Sequence, residues 1–380
     1  MIYLDYAATT PMLQQALEAY GEAAQTYFGN ASSLHDAGGL AHDAVKWSRQ
    51  VIADKLGVHR DGIIFTGSGT EGNIIAILSL ARTKKRGAHI ITSEAEHTSV
   101  HAAMNTLERE GFRVTKMPLN AQGVIDLEAL HKAIRADTTL ISIQHVNSEI
   151  GTIQPIEEVI KLAKQHGILV HVDCVQSYCK LPVATFANQV DGLTISAHKI
   201  GGPKGCGAIY LNPYVRVEPL FPGVTHERGL RGGTLDTPSI VAMAVATKQF
   251  RYELEYQWQL REAFLTALEK IENSHTSSVQ VVGGPHAQQL PNIVGLCMSG
   301  MEGQLVMLKL NEAGIYVSTG SACDIHSASG TKAILAMGKT MDEARQFFRI
   351  SFGMDTTRTE VLQCAEQLAK MKSTHFYTLG

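Results

Sequence analysis

The sequence lacks any arrangement of cysteines that would bind zinc or build a disulfide framework. Its 380 residues include six cysteines, which are scattered along the chain without a CxxC pair. A secreted disulfide scaffold and a structural zinc module are therefore excluded, and we expect a reducing, cytoplasmic location. His101, His166, His171 and Asp191 show no metal-ligand spacing with a third ligand, so we expect no metal.

The sequence also lacks a charge excess, a long apolar run, internal repeats and low-complexity tracts. Its net charge is −3, which argues against nucleic acid or an acidic surface as a partner. No stretch approaches the about 20 apolar residues that cross a bilayer. The N-terminal "MIYLDYAATTPM" has an early aspartate and no basic segment before an apolar run, so we expect neither a signal peptide nor a membrane partner.

What the sequence does have is a regular alternation of predicted strands and helices. Hydrophobic residues make up 44% of the chain, enough for two domains or one large α/β unit. A helix is predicted over 38–56, closed by Gly57, and strands and helices then alternate to residue 177. This alternation predicts parallel strands in a sheet covered by helices. A long helix is predicted over 245–272, with a domain break near 250–260.

Polar residues follow five of the predicted strands. In parallel α/β sheets the binding crevice lies beyond the carboxyl ends of the strands. One such residue alone is more often a helix cap or a solvated loop residue, but five strand ends that meet at one crevice favour a binding site. The residues that follow these strands are Gly67–Thr70, Glu96 and His97, Asn147, Asp173 and Gln176, and Ser196, His198 and Lys199.

The stretch "GSGTEG" matches the G-x-G-x-x-G pattern between a strand and a helix. Taken alone it allows a nicotinamide-dependent dehydrogenase, with Glu94 near the place expected for a ribose-binding acid. It equally allows another phosphate-bearing cofactor, because glycines let backbone N–H groups at a helix N-terminus approach an anion. Thr70 adds a hydroxyl donor to either site.

A site for pyridoxal 5′-phosphate would explain residues that have no role under the dehydrogenase hypothesis. This cofactor needs a lysine amine for a Schiff base, an acidic partner for its pyridine nitrogen, a phosphate cradle and a flat group against its ring. Lys199 suits the first need, Asp173 the second and His97 the last. The phosphate cradle is assigned to Gly69, Thr70, Ser196 and His198.

Over nearly its whole length the chain resembles the cysteine desulfurases of the NifS and IscS type, in the class V aminotransferase group. The resemblance is carried by the ordered blocks "YLDYAATTP", "GNASSLH", "FTGSGTEGN", "EAEHTSV", "HVNSEIGTIQP", "DCVQS", "SAHKIGGPKGCGAIY", "HERGLRGGT", "STGSAC" and "RISFG". It implies the aspartate-aminotransferase-like fold (fold type I). The large cofactor-binding domain, 13–255, would have a mostly parallel seven-stranded sheet. Residues 1–12 and 256–380 would form a smaller α+β domain with the catalytic cysteine loop and the substrate arginine.

The resemblance also implies roles for the cofactor-binding residues. Lys199 corresponds to the Schiff-base lysine and proton shuttle, His97 to the residue stacked on the ring and Asp173 to the partner of the ring nitrogen. Gln176 corresponds to the donor to the ring hydroxyl, and Asn147 to a residue near that hydroxyl and the substrate. The residues of the phosphate cradle named above, Gly69, Thr70, Ser196 and His198, match the family's phosphate site.

Four further residues take family roles beyond the cofactor. Arg349 corresponds to the arginine that binds the substrate carboxylate, assisted by Asn30. Thr234 corresponds to a threonine that reaches the phosphate site of a second subunit, which implies a homodimer. Cys323 corresponds to the nucleophile that takes sulfur from L-cysteine, giving L-alanine and an enzyme persulfide.

The persulfide would pass to an acceptor protein for iron–sulfur cluster assembly or thiolation of tRNA or a cofactor. A selenocysteine lyase or another class V enzyme is the alternative within the fold, and a non-catalytic scaffold is a more distant one. Four features depart from the family pattern: the Gly-Ser-Gly order in "GSGTEG", "NSE" where Asn-Asn-Glu is common, Cys179 where glycine is usual, and "ASGT" after the nucleophile. We expect Cys179 to be a packing residue, and the altered loop to affect the choice of partner.

Overall fold

The structure is a computed structural model that describes residues 1–272, 279–320 and 331–375. Within these residues the strands are β1 (Ile2–Tyr3), β2 (Ile63–Thr66), β3 (His89–Ser93), β4 (Arg113–Met117), β5 (Thr138–Gln144), β6 (Leu169–Asp173), β7 (Gly192–Ser196), β8 (Gly207–Leu211), β9 (Val279–Val282), β10 (Ile293–Met298), β11 (Ile315–Tyr316) and β12 (Phe347–Ser351). The helices are α1 (Gln14–Thr26), α2 (Asp36–Leu56), α3 (Gly69–Ala81), α4 (Thr98–Arg109), α5 (Leu127–Ala133), α6 (Ile156–Gln165), α7 (Thr237–Gln249), α8 (Leu254–Glu272), α9 (Gly303–Glu312), α10 (Lys332–Ala336), α11 (Met341–Arg345) and α12 (Arg358–His375). Short 3₁₀ helices lie at Arg60–Gly62, Val183–Thr185, Ala187–Gln189, Ala197–Lys199, His226–Gly229 and His286–Gln288.

The centre of the fold is a seven-stranded sheet with the order β2-β8-β7-β6-β5-β3-β4. Strand β8 runs antiparallel to both of its neighbours, and the other neighbouring pairs are parallel. The predicted α/β class with a mostly parallel seven-stranded sheet is therefore confirmed. Because six strands share one direction, their carboxyl ends meet at one edge of the sheet.

The predicted elements before residue 177 are present in the structure, and their residues explain why. Helix α2 is capped at its C-terminus by Gly57. This residue has a left-handed backbone conformation, with φ of +66°, which glycine adopts without strain. Helix α3 is buried on nearly all sides, which fits its apolar sequence "NIIAILSLA". A Cβ at Gly72 would lie 2.9 Å from side chains of the sheet below, so glycine lets this helix lie close to the strands.

The prediction of one long helix over 245–272 is wrong. Helix α7 ends at Gln249, and α8 begins at Leu254. Phe250 is buried in extended geometry, with φ −60° and ψ 122°. The Tyr252 hydroxyl donates to Asn292 Oδ1 at 2.9 Å. Burial of Phe250 and the hydrogen bond from Tyr252 therefore outweigh the helical preference of the neighbouring sequence.

A second hydrophobic core forms around the antiparallel sheet β12-β10-β9 and helices α8, α9 and α12. The chain's first residues belong to it: Leu4 is fully buried there, and β1 pairs with β11. The first core also contains Phe347 and Ile334, so the two cores lie against each other. The domain division at residues 12 and 255 stays a prediction. No helix in the described part of the chain is long and apolar enough to cross a membrane.

Candidate active site

A cavity of about 810 Å³ lies at the carboxyl ends of the parallel strands. It brings together most of the residues that the sequence predicts for the site: Gly69, Thr70, His97, Asp173, Gln176, Ser196, His198, Lys199 and Arg349. Its remaining lining is Ala7, Ala8, Ser68, Asn73, Gln144, Val146, Ser148 and Val175. Cys323 lies outside the described residues. Three predicted residues do not line this cavity: Asn147, Thr234 and Asn30.

One end of the cavity has the properties of a phosphate cradle. It is formed by the N-terminus of α3, where Ser68 accepts a hydrogen bond from the Glu71 backbone N–H at 3.1 Å. A Cβ at Gly69 would lie 3.0 Å from Val175 and 3.3 Å from Ser196, so glycine keeps this end open. The Ser196 hydroxyl is buried and has no hydrogen-bond partner within the described residues. An unpaired hydroxyl beside a helix N-terminus fits an anionic phosphate group.

His198 lies at the same end of the cavity and is neutral at pH 7. Burial lowers its pKa to about 3, and the nearby positive charges of Lys199, Lys204 and Lys180 add to the effect. Its Nδ1 lies 3.2 Å from the Thr9 hydroxyl. Several cations around one neutral imidazole favour a bound anion, which would in turn raise the pKa of His198.

Asp173 is held at the end of β6 by hydrogen bonds to both of its oxygens. Val175 N–H donates to Oδ1 at 2.9 Å, and Asn73 Nδ2 donates to Oδ2 at 2.7 Å. The carboxylate is buried, and these two donors fix its orientation. A pyridine nitrogen that keeps its proton requires a fixed carboxylate of this kind.

A chain of hydrogen bonds links Asp173 to His97. Asn73 Nδ2 also donates to Ser99 Oγ at 2.9 Å, and Ser99 Oγ lies 2.7 Å from His97 Nδ1. The Ser99 backbone N–H donates to the same Nδ1 at 3.1 Å, so Nδ1 is an acceptor and the ring is fixed in orientation. The group that would cover the cofactor ring and the group that would bind its nitrogen are therefore positioned by the same two side chains.

Lys199 reaches across the cavity to the N-terminal segment. It follows β7 in the 3₁₀ helix Ala197–Lys199, and its Nζ donates to the carbonyl oxygens of Ala7 and of Ala8, the latter at 2.8 Å. Gln176 Nε2 also donates to Ala7 O, at 2.9 Å. The amine is thus held by two backbone acceptors at the wall of the cavity.

Arg349 lies on β12 with its side chain 2% exposed. Nη2 lies 2.7 Å from Asp5 Oδ1, and Nη1 donates to Ser148 O at 2.8 Å. Nε is buried and has no hydrogen-bond partner within the described residues. The guanidinium is therefore fixed where it lines the cavity, and its Nε–H is left without a partner in the described residues.

The three predicted residues outside the cavity have other positions. The Asn147 side chain accepts from the backbone N–H groups of Glu149 and Ile150, both at 2.9 Å, and donates to Ala95 O at 3.2 Å. These bonds shape the turn after β5 rather than face the cavity. Thr234 and Asn30 are both exposed on the surface.

The dehydrogenase reading of "GSGTEG" is wrong because of the strand order. Glu94 follows β3, which is three strands from β7 in the sheet, whereas Gly69 lies against Ser196 at the end of β7. Three strand spacings are about 14 Å. Glu94 therefore lies too far from the helix N-terminus to bind the ribose of a nucleotide held there.

Sequence reasoning missed Asn73, Asp5 and the carbonyl groups of Ala7 and Ala8. Asn73 follows Thr70 by three positions in α3, so the helical period placed it on the same face and could have identified it. Asp5 is in the motif "YLDYAATTP", but its partner Arg349 is 344 residues away and no local pattern links the two. Backbone carbonyl groups leave no signal in a sequence.

The five described cysteines are free but poorly suited to nucleophilic chemistry. Burial raises the pKa of Cys179, Cys206 and Cys364 to about 12 and that of Cys297 to about 11. Burial also raises the pKa of Cys174 well above its ordinary value. Because the thiolate is the nucleophile, these five residues are inert near pH 7. No group of three or more His, Cys, Asp or Glu side chains that could hold a metal occurs among the described residues.

Known proteins resemble this chain over almost its full length. The aminotransferase class-V family matches residues 2–363. A NifS protein of Bacillus subtilis (strain 168) is 43% identical over 365 residues, which are 96% of this chain and 92% of the relative. The cysteine desulfurase IscS of Dictyoglomus turgidum is 38% identical over 365 residues, or 95% and 91% of the two chains.

A solved structure described as SspA in complex with cysteine has a TM-score of 0.80 and 36% identity to this chain. The match covers 93% of this chain and 99% of that one. The matches in sequence and in fold agree with the cavity, whose residues fit pyridoxal 5′-phosphate. The chain therefore belongs to the class-V aminotransferase family and, within it, to the cysteine desulfurases of the NifS and IscS type, which depend on pyridoxal 5′-phosphate.

Proposed function

We propose that this protein removes sulfur from L-cysteine, giving L-alanine and a persulfide on Cys323. One observation supports the proposal most directly: Lys199, Asp173 and Arg349 line a single cavity. They supply a lysine amine, a fixed carboxylate and a buried guanidinium, respectively. The first two suit the cofactor and the third suits an amino-acid carboxylate. A plain hydride-transfer enzyme would need none of the three in this arrangement.

The cofactor would be held at both of its ends. Its phosphate would lie at the N-terminus of α3, with Gly69, Thr70, Ser196 and neutral His198. Its ring nitrogen would face Asp173, and its ring would lie against His97. When bound, pyridoxal 5′-phosphate withdraws electrons from the substrate carbon atoms, which makes the sulfur susceptible to attack.

The chain's own groups would orient the substrate and move its protons. The free Nε edge of Arg349 would bind the carboxylate of L-cysteine, as in the bidentate contacts that guanidinium groups form. Lys199 Nζ donates to Ala7 O and Ala8 O. Rotation of the side chain would break these two bonds and turn the amine toward the substrate. Once neutral, its amine would accept the α-proton of the substrate and return a proton to carbon.

Cys323 would be the nucleophile that accepts the sulfur. Its thiolate would form an S–S bond with the substrate sulfur while the C–S bond breaks, and the carbon would gain a proton to become the methyl group of alanine. Two observations support this role. Four of the five described cysteines are buried and Cys179 is half-buried, and desolvation raises the pKa of all five thiols. Ser318, whose backbone pairs with Arg349, is five positions before Cys323, a length of chain that spans at most about 18 Å.

A homodimer is part of the proposal, with Thr234 contributing to the phosphate site of its partner. Helices α1, α2 and α7 share a surface groove lined by Tyr27, Leu40 and Trp47. Phe28 and Leu34 are 76% and 105% exposed on the loop that joins α1 to α2. Large exposed apolar side chains near one groove are typical of a surface that a partner covers. Thr234 is exposed three positions before α7 begins, and α7 supplies Val241 and Val245 to this groove.

Three further points belong to the same proposal. The persulfide sulfur would pass to an acceptor protein, which we expect to contact the segment around Cys323. The free cysteines of the described residues are consistent with a reducing, cytoplasmic location. The residues 1–12 and 256–380 would form the smaller domain that supplies Arg349 and Cys323 to the cavity.

The proposal is tested by measuring alanine formed from L-cysteine in the presence of a reductant. We expect the wild type to form alanine and Cys323→Ala to lose this activity while keeping the cofactor absorbance. Cys179→Gly is the control and should keep the activity, because the pKa of its thiol is raised to about 12 and Cys179 does not line the cavity. Borohydride reduction followed by peptide mass spectrometry should attach the cofactor to the peptide that contains Lys199.

Equal alanine formation by Cys323→Ala would refute the assigned nucleophile. A wild type that carries the cofactor but forms no alanine would refute L-cysteine as the substrate, and selenocysteine would be tested next.

A further inference from the structure

A second cavity, with about 620 Å³ of empty space, lies on the other side of the N-terminal segment. It shares no lining residue with the cofactor cavity. Ala7 and Ala8 line the cofactor cavity, whereas Tyr6 and the stretch 10–13 line the second one. Residues from both hydrophobic cores contribute to it, with Phe250 from the first and Phe352 from the second. Junctions between packed units are common places for small-molecule sites.

Lys180 supplies this cavity with a buried positive charge. Its side chain lines the cavity and the residue is 8% exposed. No hydrogen bond or ion pair to its ammonium group occurs in the described part of the chain. Burial lowers its pKa to about 8, so the group is still mostly protonated at pH 7. An uncompensated buried cation is costly, and a bound anion would remove that cost.

The other walls indicate which kind of anion fits. Lys180 is the only Lys, Arg or His among the lining residues, so the cavity offers one positive charge. Asp355, exposed at the rim, would repel a second negative charge. Most of the remaining surface is apolar, and it comes from Met12, Leu13, Phe250, Phe352 and Met354.

The polar groups beside this apolar surface already have partners. The Tyr252 hydroxyl donates to Asn292 Oδ1 at 2.9 Å, and Asn292 Nδ2 donates to Phe352 O at 3.1 Å. Pro11 and Gln14 are exposed at the rim, so the cavity is open to solvent on that side. The free recognition group is therefore a single ammonium at the inner end of an apolar cavity.

We propose that this cavity binds a small organic monocarboxylate, with its carboxylate on Lys180 and its apolar part against Phe250 and Phe352. The site is separate from the substrate position, where Arg349 is the carboxylate-binding group. It therefore does not depend on which substrate the cofactor cavity accepts.

The test uses 4-bromobenzoate as the probe and the holoenzyme as the protein. Isothermal titration calorimetry would compare the wild type with Lys180→Met, which keeps the length of the side chain and removes its charge. Because a hydrogen bond to a charged group is lost, affinity should fall by about tenfold to a hundredfold. Lys164→Met is the matched control, since Lys164 is exposed and lies outside both cavities, and it should bind as the wild type does.

The bromine atom locates the probe directly in crystals of the wild-type holoenzyme. The proposal expects an anomalous bromine peak in the second cavity, between Phe250 and Phe352. It is overturned by a peak only beside Arg349, by equal affinity of Lys180→Met and the wild type, or by a crystal peak without binding in solution. Absence of binding at millimolar concentration in both experiments would overturn it as well.

Discussion

The ion pair between Arg349 and Asp5 should contribute strongly to stability, and Asp5→Asn tests its contribution. Asp5 and Arg349 are 344 residues apart in the sequence, and Nη2 lies 2.7 Å from Oδ1. The Arg349 side chain is 2% exposed and that of Asp5 is 20% exposed. Asparagine keeps the size of the aspartate and one acceptor oxygen but removes the negative charge. The substitution therefore isolates the charge compensation of a buried guanidinium.

The magnitude follows from the burial of the two partners. Removing one partner of a fully buried ion pair costs about 3–5 kcal/mol, because the other charge is left without compensation. Asp5 is partly exposed and the asparagine oxygen can still accept a hydrogen bond, so the expected loss is smaller. We expect the free energy of unfolding to fall by about 2–3 kcal/mol.

The measurement is urea unfolding of the cofactor-bound protein, followed by far-ultraviolet circular dichroism. Glu110→Gln is the control, because Arg82 and Glu110 form an ion pair of similar length, 2.6 Å, with side chains 28% and 35% exposed. This exposed pair should contribute at most about 1 kcal/mol. If Asp5→Asn unfolds at the same urea concentration as the wild type, charge compensation by Asp5 does not stabilise the fold, and our reasoning about the pair is refuted.

Two further predictions concern a buried acid and a strained backbone position. Burial raises the pKa of Glu96 from 4.5 to about 8, so the folded protein holds a proton that the unfolded chain releases, and stability should fall as pH rises between these values. In Glu96→Gln the free energy of unfolding should fall less over this pH range. If the midpoint urea concentration of unfolding changes with pH equally in both proteins, the reasoning is contradicted. Cys179 has a φ of +60°, where glycine is unstrained and a β-branched residue is not. Thermal melts should show little loss for Cys179→Gly and a loss of at least about 1 kcal/mol for Cys179→Val.

Local chemistry made the strand–helix alternation and the cofactor residues predictable. The apolar runs of the strands and the glycine at the end of α2 act within a few residues, so their effect can be read directly from the sequence. Lys199 and Asp173 were identified because few cofactors need an amine and an acid at strand ends. Asn73 was also predictable, because it lies three positions after Thr70 and therefore on the same face of α3.

Long-range pairing decided the features that the sequence did not reveal. The reversed direction of β8 depends on its pairing with β2 and β7, which no local pattern encodes. The break between α7 and α8 depends on the burial of Phe250 and on the bond from Tyr252 to a residue 40 positions away. Asn147 was predicted from its place after β5 and from the family motif. Its side chain accepts hydrogen bonds from backbone groups of the following turn, and a role at the cofactor stays a prediction.

The contact between two distant segments of the chain at the site has a consequence for its synthesis. Asp5 and the carbonyl groups of Ala7 and Ala8 are made before Arg349 and β12, and 344 residues separate Asp5 from Arg349. At about 5–20 residues per second, the N-terminal segment waits roughly 17 to 70 s on the ribosome for these partners. A nascent chain can therefore hold the lysine and the phosphate cradle long before its substrate side exists. The full cavity forms only after Arg349 has been synthesised.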